Sequence, residues 1–417
     1  MKVYKFGGAS VKDAAGVRNL LDIVRGERDL FIIVSAMGKT TNALEGVFEA
    51  MQCADTQLAM QRIDDSYAYH RTILDDLYGC DCKIEQVETL FSQLRNTVLN
   101  TQYRKSDAEL WYDTVVAYGE LISTTIISDY LNSQGVNNQW VDMRRTFLTN
   151  PRHKDANVNI EASELRLKHE IKGSNVSVFV GQGFIGGAPD GTTTTLGREG
   201  SDYSAAIVAN ILDAESMSVW KDVDGILNAD PKIFPDARKI ERLNYMDTIE
   251  MAYSGAQIIH PKTIKPLQQK SIPLYVRPFG NKHAQGSIIT GDVERAFEPI
   301  MIQKSNQVLL RLHSRDLSFV LEEKFGKVFS TLESHRIKTN LVHNSAVELY
   351  LSIDSSWHID EVISELEAEG FDVECRRDVV MVTIRYYNDD LYHRYGFDER
   401  IIIKQSTPYS LRFVRTN

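Results

Sequence analysis

Several things are scarce in this sequence, and each scarcity narrows the field. No run of about 18 apolar residues occurs, so no segment reads as a membrane-crossing helix. Lys and Arg number 47 against 57 Asp and Glu, a formal net charge of −10, and basic residues nowhere cluster among aromatics. Neither a nucleic acid nor an anionic membrane is therefore the expected partner. Cysteine is sparse, with Cys53, Cys80, Cys82 and Cys375 the only four in 417 residues. The Cys80-Asp81-Cys82 spacing is too tight for a zinc knuckle and has no second ligand pair nearby. The four read as reduced thiols of a cytoplasmic protein. No leader is expected either, because Met1-Lys2-Val3-Tyr4-Lys5-Phe6 enters a strand-like pattern at once, without a signal peptide's apolar stretch. The ten histidines show no ligand spacing, so no metal-ligating residues are expected, and no nucleophile triad or metalloprotease motif is present.

What is present is a chain too long for one ordinary core, with 43% hydrophobic and 25% charged residues. The first 290 residues alternate short apolar runs with longer amphipathic stretches. Lys2–Phe6, Leu30–Ser35, Val176–Gly181, Ser216–Trp220 and Pro273–Val276 read as strands, several apolar on both faces as buried parallel strands are. Val11–Arg25 places Ala14, Val17, Leu20, Leu21 and Val24 on one helical face. The expectation is an α/β three-layer sandwich around a mostly parallel sheet. Helix-rich sequence from about Thr40 to Leu131 interrupts the rhythm and is expected to form a helical subregion, or lid, over one end of the sheet. From Val308 the order becomes strand (Val308–Leu312), helix (Phe319–His335), strands (Lys338–Val342, Val347–Ile353), helix (Ile359–Glu369), strand (Asp372–Arg376). That is the βαββαβ order of an α+β ferredoxin-like module. The strand candidates after it, within Val379–Val414, leave too few residues for a second complete module. Three segments follow: 1–290, 291–378 and a partial 379–417.

Three segments carry the chemistry. Lys5-Phe6-Gly7-Gly8-Ala9-Ser10 ends a strand in a lysine and turns on two glycines, and Ser10 with Asp13 reads as a capping box at a helix start. Free N–H groups, a helix dipole and an ammonium at one point suit a phosphate. The second segment runs from Gly181 to Asp202. Gly181, Gly183 and Gly186 satisfy G-x-G-x-x-G, but a loop with Pro189 and four threonines follows where a dinucleotide fold opens its helix. A substrate-handling loop fits better. It ends in the turn Gly197–Gly200, with Ser201 expected to cap a helix Asp202–Leu212 and Arg198 held out to fork onto a carboxylate. Gly38-Lys39-Thr40 is not a Walker A tail, since Ile33 stands where a glycine is required. The third segment, Lys221–Lys232, follows a strand at the edge where open sheets place ligands.

In this order the segments resemble the aspartate kinases of the amino-acid-kinase family. Lys5–Val11 is similar to K-F-G-G-T-S-V, Thr194–Ser204 to T-T-L-G-R-G-G-S-D-Y, Asp222–Lys232 to a nucleotide loop, and Ser254–Pro261 to G-A-K-V-L-H-P. The resemblance implies transfer of the ATP γ-phosphate to the β-carboxylate of L-aspartate with Mg2+, giving 4-phospho-L-aspartate on the route to lysine, threonine and methionine. It implies catalytic roles for Lys5 and Asp202. It places Ser35, Thr41, Glu120, Phe184, Arg198 and Ser201 around aspartate, with Arg198 on a carboxylate and Glu120 on the ammonium. It places Gly7, Gly8, Lys221, Asp222, Leu227, Lys232 and Gln257 around the nucleotide. Lys221, Leu227, Asn228 and Gln257 depart from the family pattern on that side, and Glu199 replaces a glycine.

The tail resembles paired ACT modules, which implies a homodimer with an amino-acid effector, lysine or threonine. Asn340 and Ala346 stand where the lysine-sensitive subtype carries acids, which weakens the expectation of lysine control. The chain ends near this region, so a fused homoserine dehydrogenase is not expected. Two competing readings are a kinase of glutamate or another small acid, and a non-catalytic amino-acid sensor.

Overall fold

The computed structural model describes residues 1–79, 82–256, 258–291, 293, 298–315 and 322–417. Contacts divide the chain into two compact units. One comprises Met1–Ile226, Ile240–Tyr245 and Ile259–Val293; the other comprises Leu227–Lys239, Met246–Ile258 and Glu294–Asn417.

The first unit is built on an eight-stranded sheet. From edge to edge its strands are Arg242–Leu243, Ser287–Ile289, Leu274–Pro278, Ser216–Lys221, Lys2–Phe6, Leu30–Val34, Val178–Gln182 and Gln139–Val141. All neighbours pair in parallel except Leu274–Pro278 with Ser287–Ile289. Leu30–Val34 is buried at every position, as a central parallel strand covered on both faces must be. Helix Ala14–Val24 packs Val17, Leu20, Leu21 and Val24 inward. Helices Thr40–Gln52, Thr56–Tyr78, Glu85–Asn100, Ala108–Val116 and Tyr118–Ser133 account for the helix-rich stretch.

One local expectation is corrected here. Helix Ala14–Val24 is capped by Asp13, whose carboxylate accepts from the Gly16 N–H at 2.8 Å. Ser10 takes no part and donates instead towards the Trp220 carbonyl at 3.5 Å. Residues 8–13 form turns and bends, so the glycine pair is separated from the helix start.

The second unit holds a six-stranded antiparallel sheet ordered Thr339–Asn344, Glu348–Asp354, Ile300–Ser314, Phe371–Arg385, Ser410–Thr416 and Ile401–Thr407. Helices Glu322–Ser334 and Ile359–Ala368 pack Val328, Leu332, Val362 and Leu366 against Leu310, Leu312 and Leu351. The βαββαβ order is present; the expected helix opening at Phe319 lies outside the described residues. The strand anticipated at Asp372–Arg376 and the candidate beginning at Val379 are joined in one strand of 15 residues, Phe371–Arg385. It passes an irregularity where its register against Lys304–Leu309 shifts, with Asp378 at φ 56°. Among the described residues Cys53, Cys82 and Cys375 are free, Cys80 lies outside them, and no helix is long and apolar enough to cross a membrane.

Candidate active site

In the first unit the chain lays down strands on one side of Lys2–Phe6 first and returns with Ser216–Lys221 on the other. Such a reversal opens a crevice at the carboxyl ends of the parallel strands. Lys5 stands near the end of one of these two strands and Lys221 ends the other. Lys5 Nζ lies 2.7 Å from Asp202 Oδ1, and Lys221 Nζ lies 3.6 Å from Asp202 Oδ2. Asp202 is 3% exposed. Burial pushes its carboxyl up, but the two ammonium groups outweigh burial and hold it below the ordinary carboxylate range. Gly7 lies beside Lys5, where a Cβ would make only an ordinary contact with Nζ at 3.7 Å. Gly8 is forced by close approach: a Cβ would meet the Ala36 carbonyl oxygen at 2.4 Å.

A cavity of about 510 Å³ surrounds this cluster. Lys5, Ser35, Thr41, Glu120, Phe184, Arg198, Ser201, Asp202 and Lys221 all line it. Glu120, from the first turn of helix Tyr118–Ser133, is 2% exposed. Its Oε1 accepts from the Ala36 N–H at 3.1 Å, while its Oε2 is buried with no partner. Burial pushes the Glu120 carboxyl up to about 8, against the pull of the Ala36 N–H and the Lys5 charge. Arg198 stands exposed in the cavity wall.

Ser201 does not cap the helix. The helix runs Gly200–Ile211, and Glu199 occupies the capping position at φ 54° without a side-chain bond. The turn closes through Gly200 N–H to Gly197 O and Asp202 N–H to Glu199 O, both 3.0 Å. The left-handed residue brings the chain into the helix earlier, which leaves Ser201 in the cavity wall. Gly183 makes room for it, because a Cβ there would lie 2.5 Å from Ser201 Oγ.

Glu45, Tyr112, Lys154 and Glu199 also line the cavity, and none was singled out as a site residue from sequence. Tyr112 donates to Glu45 Oε1 at 2.7 Å, and Lys154 Nζ sits 4.3 Å from the Tyr112 ring centroid. Lys154 has φ 66°, an uncommon conformation for a side chain of this size. Behind it lies Asp113, fully buried. Its carboxylate accepts from the Lys154 N–H at 3.0 Å, the Thr195 N–H at 3.0 Å and the Thr195 hydroxyl at 2.6 Å, and faces His153 Nδ1 at 2.9 Å. Burial raises the Asp113 carboxyl despite these bonds. No sequence motif marks Asp113, because its partners lie 40 to 82 residues away.

Asp222 follows Lys221 and is exposed. Leu227 and Lys232 belong to the second unit, in a loop closed by Asn228, whose N–H bonds to Arg238 O and whose Oδ1 accepts from the Arg238 N–H. Gln257 lies outside the described residues. A larger cavity, about 740 Å³, lies in the second unit and is walled in part by Phe234, Arg394 and Phe413. It contains none of the residues expected from sequence to be catalytic or to hold aspartate. No histidine or cysteine lines the smaller cavity among the described residues. Its chemistry is therefore that of charge placement: four cations (Lys5, Lys154, Arg198, Lys221) facing four carboxyl groups (Glu45, Glu120, Glu199, Asp202).

Residues 1–278 match the amino acid kinase family. The chain is 32% identical over 359 residues to lysine-sensitive aspartokinase 3 of Escherichia coli (strain K12), covering 85% of this chain and 78% of that protein. It is 32% identical over 294 residues to bifunctional aspartokinase/homoserine dehydrogenase 1 of Zea mays, covering 69% of this chain and 32% of that protein. It thus spans about a third of that longer relative. Its fold superposes on E. coli aspartokinase III in complex with aspartate and ADP with a TM-score of 0.84 and 27% identity, covering 100% of this chain and 96% of that chain.

Proposed function

The chain belongs to the amino acid kinase family, and from that premise we propose how its cavity works as an aspartate kinase. The observation that carries the reading is the pairing, in one cavity, of a buried carboxyl with a spare oxygen and an exposed guanidinium beside the Lys5–Asp202–Lys221 cluster. Glu120 takes the ammonium of L-aspartate, and Arg198 takes a carboxylate as a two-pronged donor. Ser35, Thr41, Phe184 and Ser201 complete the wall.

The β-carboxylate oxygen attacks the γ-phosphorus of ATP. A new P–O bond forms as the bond to the bridging oxygen breaks, giving 4-phospho-L-aspartate and ADP. The carboxylate is already ionised at neutral pH, so no general base is needed. The protein's task is alignment and charge neutralisation. Lys5 stabilises the charge on the transferring group, with the N–H groups of Gly7 and Gly8 beside it; Asp202 holds Lys5 in place. Lys221 and Asp222 serve the nucleotide.

Mg2+ accompanies the ATP phosphates and neutralises their charge when bound. Such an ion takes one or two carboxylates, and Asp202 Oδ2, the oxygen less closely held by lysine, fits that need. The same proposal makes 1–290 catalytic, 291–378 and 379–417 ACT-like, and the enzyme a cytoplasmic homodimer responding to an amino-acid effector.

Isothermal titration tests the anchors directly. Aspartate binds, and Arg198→Ala weakens it about 10- to 100-fold, as loss of a charge-assisted pair worth about 1.5–3 kcal/mol requires. Glutamate binding as tightly as aspartate would point to a kinase of another acid. Binding without any turnover would point to a sensor.

A further inference from the structure

In the second unit two histidines and two glutamates converge from different elements. His335 follows helix Glu322–Ser334, its N–H still bonded to the Thr331 carbonyl at 3.3 Å, and the chain then turns through Arg336 at φ 54°. His358 occupies the capping position of helix Ile359–Ala368, and Glu361 and Glu365 lie in that helix's first two turns. His335 Nε2 lies 2.9 Å from Glu365 Oε1. That bond makes Nε2 the protonated nitrogen of a neutral ring and leaves the Nδ1 lone pair free to ligate. Nδ1 of His335 is 3.7 Å from Glu361 Oε2, and Nδ1 of His358 is 2.7 Å from the same oxygen, a hydrogen bond whose proton a bound ion displaces. One ligand atom from each of His335, His358 and Glu361 lies within 4.8 Å of the others.

We propose that His335, His358 and Glu361 bind one zinc-type divalent cation, with Glu365 orienting His335. Zinc bonds of 2.0–2.1 Å in a tetrahedron separate ligand atoms by about 3.3 Å, a distance bracketed by the two observed separations. Two imidazoles and a carboxylate select Zn2+ and, as surrogates, Co2+, Ni2+ or Cu2+, whereas Mg2+ prefers oxygen donors alone. Two neutral rings with the Glu361 and Glu365 carboxylates balance a double positive charge. The side chain of His335 is only 16% exposed, so its ring is held rather than loose; those of His358 and Glu361, at 49% and 62%, leave the fourth position open to water. Bound there, the ion ties the end of one helix to the start of the next. It is separate from the kinase's Mg2+, which accompanies ATP.

The test uses the full-length chain, stripped with EDTA and dialysed, titrated with zinc chloride without nucleotide or Mg2+. One ion per chain binds. The double variant His335→Gln/His358→Gln loses at least about 100-fold in affinity, and Glu365→Gln loses about 10- to 100-fold, as removal of an orienting carboxylate does. Cobalt in place of zinc gives the visible absorption of a tetrahedral site, absent in Glu361→Gln, which decides the matter if the double variant folds poorly. Equal zinc affinity in the wild type and the variants, or none in the wild type, overturns the proposal.

Discussion

Glu120 is the residue on which the pocket's electrostatics turn. Burial lifts its carboxyl to about 8 from an ordinary 4.5, so the folded chain keeps a proton that the unfolded chain releases. Stability therefore falls as pH rises from about 4.5 to 8 and levels off above it. Thermal unfolding followed across that window should show the decline in the wild type and a flatter profile in Glu120→Gln. Aspartate reverses the preference, because its ammonium favours the ionised carboxylate. Its affinity should rise with pH up to about 8, with a proton released on binding, and Glu120→Gln should lose both effects. A wild-type affinity independent of pH would contradict this role. Lys5 and Lys221 share Asp202 in a different balance, in which the ion pair outweighs burial.

At the scale of elements, the apolar strands and the βαββαβ order were legible because burial on both faces and helical periodicity leave continuous patterns. Caps were not, since Ser10, Asp13, Ser201 and Glu199 are each acceptable locally and the path of the turn decides among them. The hub at Asp113 left no pattern at all. It sits in helix Ala108–Val116 and clamps the Lys154 loop and strand Thr193–Thr195, which leads into the Gly197–Gly200 turn bearing Arg198. Asp113→Ala leaves these donors buried and unpaired, at a cost of about 3 kcal/mol. Denaturant unfolding should show that loss, and KM for aspartate should rise more than kcat falls. Unchanged stability would mean that the clamp is not formed. The same distance effect hid the histidine cluster, whose residues gather from the end of one helix and the start of the next.

For the whole molecule, every residue expected from sequence to be catalytic or to hold aspartate lines the smaller cavity, whereas Glu45, Tyr112 and Lys154, which were not marked, join it only through the fold. The regulatory expectation gains a structural argument. Asn340 is 1% exposed, and its side chain is satisfied internally: Nδ2 donates to Gln307 Oε1 and Asp354 Oδ1, and Oδ1 accepts from Lys304 Nζ at 2.9 Å. It is neutral, buried and already faces the Lys304 ammonium, so it offers an external ammonium no charge to pair with, and we expect lysine at about 10 mM to leave turnover unchanged; strong inhibition would refute that. The account as a whole stands on turnover. Purified protein given Mg-ATP should release ADP when L-aspartate is added, and Lys5→Ala should cut kcat by about 100-fold or more while the chain stays folded. Full activity in that variant, or no aspartate-dependent ADP release by the folded wild type, would contradict the assignment.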